Sequence, residues 1–166
     1  ISPSKVRNEM IIDDVITCVA RKQTPVILTR FKEHAKFLHD ALKKKADHVF
    51  LLYGDNSDKE NAEIRVKLKQ IPENESLILV ATGQKIGEGF DFPRLDVLML
   101  AAPVSFEGRL EQYVGRLNRD YVGKEAVYVY DYIDSHVRYF DKMYAKRLRT
   151  YRKMGFSIWT QELQPK

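Results

Sequence analysis

Between Asn8 and Lys22 the apolar side chains fall at Met10, Ile11, Val15, Cys18 and Val19. Steps of three and four lay these along one face of a helix, and Pro25 ends it. From there short apolar runs exchange regularly with amphipathic stretches. Val26-Ile27-Leu28 reads as a strand, Lys32 to Lys45 as a helix with Phe37, Leu38, Ala41 and Leu42 inward, and Val49 to Tyr53 as a second strand. A turn at Gly54-Asp55-Asn56 leads into a helix from about Asp58 to Gln70. Leu77 to Ala81, Val97 to Ala101 and Ala126 to Tyr130 supply three more strands, with a further helix between the last two.

These strands are short and almost wholly apolar, the pattern of a parallel sheet covered on both faces. The helices between them are the crossovers such a sheet requires. The expected class is therefore α/β, and binding chemistry is expected at the carboxyl ends of the strands. Thr29-Arg30, Gly54-Asp55-Asn56, Thr82 to Asp91 and Pro103-Val104-Ser105 fall there. Beyond Asp131, Asp134 or Ser135 can cap a helix running to about Met154, with Gly155 as its stop. It carries Arg138, Lys142, Lys146, Arg147, Arg149, Arg152 and Lys153 against Asp141, with Tyr139, Phe140, Met143, Tyr144, Leu148 and Tyr151 as an apolar face. Two readings stay open: a helix packed across the sheet with a solvated basic side, or a helix facing nucleic acid through its cations and tyrosines. With no repeat or linker visible, residues 1–166 form one domain, with an N-terminal helix over 1–23 and a basic helix and short strand extension over 135–166.

Composition narrows the class. A chain 44% hydrophobic and 31% charged is neither disordered nor membrane-embedded, and runs such as Val97 to Val104 fall far short of the roughly 18 residues a membrane span needs. The polar, basic first residues do not lead into a signal-peptide core. Ile1 in place of methionine is expected of a piece of something larger. A single cysteine, Cys18, permits no internal disulfide and fits a reducing cytoplasm. His34, His39, His48 and His136 are scattered, and read as surface or helix-face residues rather than metal ligands. The net charge of +5 favours an anionic partner.

Candidate chemistry concentrates in two segments. In Glu111 to Asp120, Gln112, Arg116 and Arg119 stand at i, i+4 and i+7, one stripe of a helix, with Gly115 leaving room for close approach. Paired guanidiniums suit phosphate and the charge that builds on it during transfer. Directly after the third strand, Thr82-Gly83-Gln84-Lys85-Ile86-Gly87-Glu88-Gly89-Phe90-Asp91 offers backbone N–H groups at Gly87 and Gly89 and a small hydroxyl at Thr82. Asp91 is an acceptor suited to a ribose hydroxyl or to holding a basic finger in place, and Glu88 reads as structural or cleft-facing. No G-x-x-x-x-G-K-[ST] phosphate loop and no G-x-G-x-x-G after a strand is present.

A-T-x-x-x-x-G-E-G-F-D-F-P followed by Q-x-x-G-R-x-x-R resembles motifs V and VI of superfamily 2 helicases, in the order found in their second RecA-like lobe. Pro25 to Phe31 resembles motif IV, and Leu52-Tyr53-Gly54 the strand-turn after it. Val129 to Asp134 and the basic tyrosine-rich helix resemble a bacterial DEAD/DEAH-related group similar to type III restriction helicase subunits, often joined to nuclease or primase modules. The resemblance covers roughly Thr24 to Ile158. It implies a RecA-like lobe without its own P-loop, acting on ATP and Mg2+ held mainly by a first RecA-like lobe in the same parent chain. It implies that Arg116 and Arg119 reach the nucleotide, Arg119 as arginine finger, with Gln112 linking that site to nucleic acid. Gly87, Gly89 and Asp91 would lie near the nucleotide, and Thr29, Arg30, Gly54, Thr82 and Gly83 near the backbone of DNA (or RNA). The isolated domain would be inert, because metal, P-loop lysine and water-activating acid come from elsewhere. The alternative is an α/β nucleic-acid-binding or adaptor module that does no ATP-linked work. A Rossmann-type metabolic enzyme is disfavoured by the missing dinucleotide fingerprint.

Overall fold

The molecule was analysed as a computed structural model, which describes residues 3–82, 92–101, 126–132 and 147–158. Its elements are α1 (Pro3–Ala20), β1 (Pro25–Thr29), α2 (Lys32–Leu42), β2 (His48–Leu52), α3 (Asp58–Gln70), β3 (Leu77–Thr82), β4 (Val97–Leu100) and β5 (Tyr128–Asp131). Residues 147–153 are helical as well. The five strands form one sheet in the order β2-β3-β1-β4-β5, and every neighbouring pair is parallel. This is the α/β architecture expected from the apolar runs. β1, β3 and β4 are buried along their whole length, whereas the edge strands β2 and β5 are mostly half-buried.

Alternation along each strand divides the core in two. Val26, Leu28, Leu79, Ala81, Leu98 and Leu100 face α3 (through Leu68), Phe92, Leu95 and Tyr151. Ile27, Ile78, Val80, Val97 and Met99 face α1 and α2, through Ile11, Val15, Cys18, Ala35, Leu38 and Leu42. Among the described residues no helix is long and apolar enough to cross a membrane, and no cluster of metal-ligating side chains occurs.

The inward face of α2 differs from expectation. Ala35, Leu38 and Leu42 are its buried residues, whereas Phe37 is 52% exposed and Ala41 only half-buried. The steps 35, 38, 42 trace one stripe, and Phe37 lies about 100° round the helix from Leu38. The helix also stops at Leu42, short of Lys45.

Among the described residues, the two helix starts on the carboxyl side of the sheet are built differently. At α3, the Ser57 hydroxyl accepts from Glu60 N–H and the Glu60 carboxylate accepts from Ser57 N–H, a closed capping box. Asn56 and Asn61 stitch the same turn to the carbonyls of Leu51 and Tyr53. At α2 the N-cap is Phe31, which has no capping group.

The C-terminal segment stops where expected. Gly155 is left-handed (φ 86°), Phe156 N–H reaches Tyr151 C=O and Gly155 N–H reaches Arg152 C=O, a Schellman closure. The Phe156 and Tyr151 rings meet edge-on at 6.3 Å. Residues 156–158 are not strand, and the rest of the expected extension and the helix start at Ser135 lie outside the described residues.

Candidate functional site

The strand order decides what meets at the carboxyl rim. β1 lies between β3 and β4, and Thr29 is in register with Thr82. The chain that continues from Thr82 into Gly83 to Asp91 therefore leaves on one side of Thr29. The chain that continues from β4 towards Gln112, Arg116 and Arg119 leaves on the other. Both candidate segments therefore follow strands that flank the same central strand. Gly83, Gly87, Gly89, Asp91, Gln112, Arg116 and Arg119 themselves lie outside the described residues; Thr29, Arg30, Gly54 and Thr82 lie within them.

Those four differ sharply in availability. Thr29 is 0% exposed. Its Oγ1 lies 2.8 Å from His34 Nδ1, and His34 Nε2 lies 2.8 Å from Asn8 Oδ1. Because Asn8 Oδ1 can only accept, Nε2 carries the ring proton and Nδ1 accepts from the Thr29 hydroxyl. Burial, aided by Arg7, holds His34 below the ordinary histidine value, which favours this neutral ring. The stability tied to neutral His34 is complete above that ordinary value and is lost as pH falls through the lowered one. Thr29 is thus a buried group engaged by its own fold. Thr82 is likewise buried. Arg30 is exposed, its guanidinium 5.8 Å from the centroid of the Phe31 ring. At Gly54 a Cβ would meet Lys32 Cδ at an ordinary 3.7 Å, so crowding does not demand glycine. Lys32 Nζ bonds Asp55 Oδ1 at 2.8 Å, and the bond raises the Lys32 pKa.

At the end of β5 one residue of the expected basic face departs from it. Arg147 is 3% exposed rather than part of a solvated or nucleic-acid-facing side. Its Nε and Nη2 donate to Asp131 Oδ2 and Oδ1 at 2.7 and 2.8 Å, and Tyr151 OH donates to Oδ2 at 2.7 Å. Burial alone would lower the arginine's pKa, but the Asp131 bond and charge raise it. Arg149, Arg152 and Lys153 remain on the outside. Sequence reasoning did not single out Asp131 or Phe31. A phenylalanine directly before a helix, where a capping residue is favoured, was the available signal for the latter.

Comparisons with known proteins agree with this topology. The helicase conserved C-terminal domain matches residues 7–120. The chain is 31% identical over 120 residues to transcript termination protein A18 of Yaba-like disease virus, covering 71% of this chain and 24% of that protein. It is 34% identical over 118 residues to the putative helicase 161L of Invertebrate iridescent virus 6, covering 70% and 22%. The chain spans about a quarter of the length of these curated relatives. They are viral proteins, and do not support the expected bacterial, restriction-type affinity. In fold it resembles the crystal structure of T4 UvsW (TM-score 0.68, 23% identity, 89% of this chain and 32% of that one). It also resembles domain 2 of the DEAD-box helicase Mss116p bound to an RNA duplex (TM-score 0.61, 20% identity, 77% and 50%). With the order of its parallel sheet and the match over residues 7–120, this chain belongs to the helicase conserved C-terminal domain family.

Proposed function

We propose that this domain is the second motor lobe of an ATP-dependent helicase or translocase acting on DNA or RNA in the cytoplasm. The observation that carries the proposal is the family match over residues 7–120, which spans Gly83 to Asp91 and Gln112 to Arg119. Bound ATP with Mg2+ supplies the phosphoryl group for transfer to water. The chain has no P-loop sequence of its own, so a first RecA-like lobe must hold most of the nucleotide. Arg116 and Arg119 stabilise charge spreading over the transferred phosphoryl group, Arg119 as the finger, and Gln112 relates that site to the nucleic-acid side. Gly87, Gly89 and Asp91 border the ribose and phosphates. Thr29, Arg30, Gly54, Thr82 and Gly83 border the strand backbone, Thr29 being held in place by its bond to His34. Fused nuclease or primase modules draw no support from the relatives named above, and the proposed assembly omits them.

The test is nucleic-acid-stimulated ATP hydrolysis by the full-length protein carrying Arg119→Ala. A cross-lobe arginine is worth roughly 10³–10⁵ in rate, so hydrolysis is expected to fall by about three orders of magnitude or more. Hydrolysis at the parental rate would remove Arg119 from the site. The 166-residue chain alone should hydrolyse no ATP; turnover that co-purifies with it would contradict the need for a second lobe.

A further inference from the structure

Phe31 is 60% exposed, the most exposed large hydrophobic side chain among the described residues. Chance exposure of one apolar residue needs no explanation, but its position does. It follows β1, the central strand of the sheet, at the rim where Thr29 and Thr82 lie side by side. It occupies the N-cap of α2 with φ −107° and ψ 133°, the backbone of a capping residue, yet offers no group to cap with. Serine, threonine, aspartate or asparagine would serve the helix better there, as Ser57 serves α3. Local stability therefore does not select an aromatic at this position.

The neighbours say what the ring is suited to. The Arg30 guanidinium stands 5.8 Å from its centroid, close enough for cation–π attraction. Lys32, on the other side, is tied to Asp55, which fixes the turn and leaves Arg30 as the exposed cation beside the ring. An aromatic face with an adjacent guanidinium is the element from which single-strand sites are built: the ring stacks a base and the cation takes the phosphate. We propose that Phe31 stacks an unpaired nucleobase while Arg30 meets the adjoining phosphate, forming a single-strand contact at the tip of β1. The proposal rests on the nucleic-acid reading of this rim and adds to it a base contact, where the residues considered so far touch only backbone. Single-stranded nucleic acid is the occupant favoured over a protein partner because the patch pairs its apolar ring with a cation, in a chain of net charge +5.

The experiment compares the full-length protein with its Phe31→Ala and Phe31→Trp variants by fluorescence anisotropy. Three labelled probes of about fifteen nucleotides, near the upper site size of a single-strand binding fold, are used: oligothymidylate, oligouridylate and an abasic deoxyribose-phosphate strand. Phe31→Ala should weaken oligothymidylate or oligouridylate binding about tenfold while leaving the abasic strand unchanged, and Phe31→Trp should restore binding. Which of the two base-bearing probes loses more tells DNA from RNA. Parental binding with no loss in Phe31→Ala would overturn the stacking and leave the motor reading standing, the patch then being open to a protein partner. An equal loss on the abasic strand would also overturn it, because the ring would then act only through the backbone. Failure of the parental protein to bind any of the three would overturn both.

Discussion

The two rims of the sheet differ at the central strand. At the amino rim every strand start is tied to its neighbour. Thr24 N–H donates to Asp96 Oδ1 at 2.7 Å, Asp47 and Ser76 exchange reciprocal bonds at 2.8 Å, and His48 Nε2 lies 3.1 Å from Glu75 Oε1. The reciprocal bonds from Ser76 hold the Asp47 carboxyl below its ordinary range. Arg94, only 9% exposed, lays its guanidinium across the Thr24 hydroxyl and the carbonyls of Pro72, Glu73 and Glu75. At the centre of the carboxyl rim the corresponding cation, Arg30, points into solvent beside an exposed ring. A parallel sheet places its binding chemistry at the carboxyl ends. The difference teaches something narrower: Thr29 and His34, Lys32 and Asp55 are spent on one another just as the amino-rim groups are, and only Arg30 and Phe31, at the tip of β1, are left exposed. The far end of the carboxyl rim, at β5, is closed like the amino rim by Asp131, Arg147 and Tyr151.

The largest test of this division is Asp131→Ala. It removes Asp131 from its buried pair with Arg147, which costs about 3–5 kcal/mol. Urea unfolding should register the loss as a lower midpoint at unchanged slope. A loss below about 1 kcal/mol would mean that this end of the rim is as open as Arg30. Next comes Arg94→Met, which keeps the apolar stem and deletes the clamp. Leaving several carbonyls without their donor should cost about 2 kcal/mol, with nucleic-acid binding untouched. A binding defect at parental stability would show that the amino rim is not purely structural.

How far each rim could be read beforehand follows from where the partners of its residues lie. The sheet was legible because burial on both faces leaves runs such as Leu77 to Ala81 with no polar residue, and α3 was legible to its ends, Asp58 and Gln70. Gly155 could be read as a stop because only the left-handed conformation it adopts ends a helix that way. The clamp of Arg94 was not legible: its acceptors are mostly main-chain carbonyls, which every residue has. Arg147 was misread for a related reason. A cation in a basic helix looks solvated until the acid that claims it is placed, and Asp131 is sixteen residues away on a strand. Phe37 and Leu38 are adjacent apolar letters, and periodicity alone did not choose between them. For Gly83 to Asp91 and Gln112 to Arg119 the roles rest on the resemblance and the family match.

The finest distinction concerns the two helix starts at the carboxyl side, and there the expected effects are opposite in sign. Ser57→Ala opens the capping box of α3 and should cost about 1 kcal/mol. Phe31→Ser places a capping hydroxyl at a position whose backbone, φ −107° and ψ 133°, already suits one. An uncapped helix start gains roughly 0.5–1 kcal/mol from such a residue, and the ring it replaces is mostly in water, so little burial is lost. The variant should therefore unfold at slightly higher urea than the parent while binding single strands more weakly. Stabilisation with loss of binding is the signature of a residue kept for a ligand. If Phe31→Ser were instead less stable than the parent, the ring would be contributing to the fold, and the carboxyl rim would be closed at its centre as well as at β5.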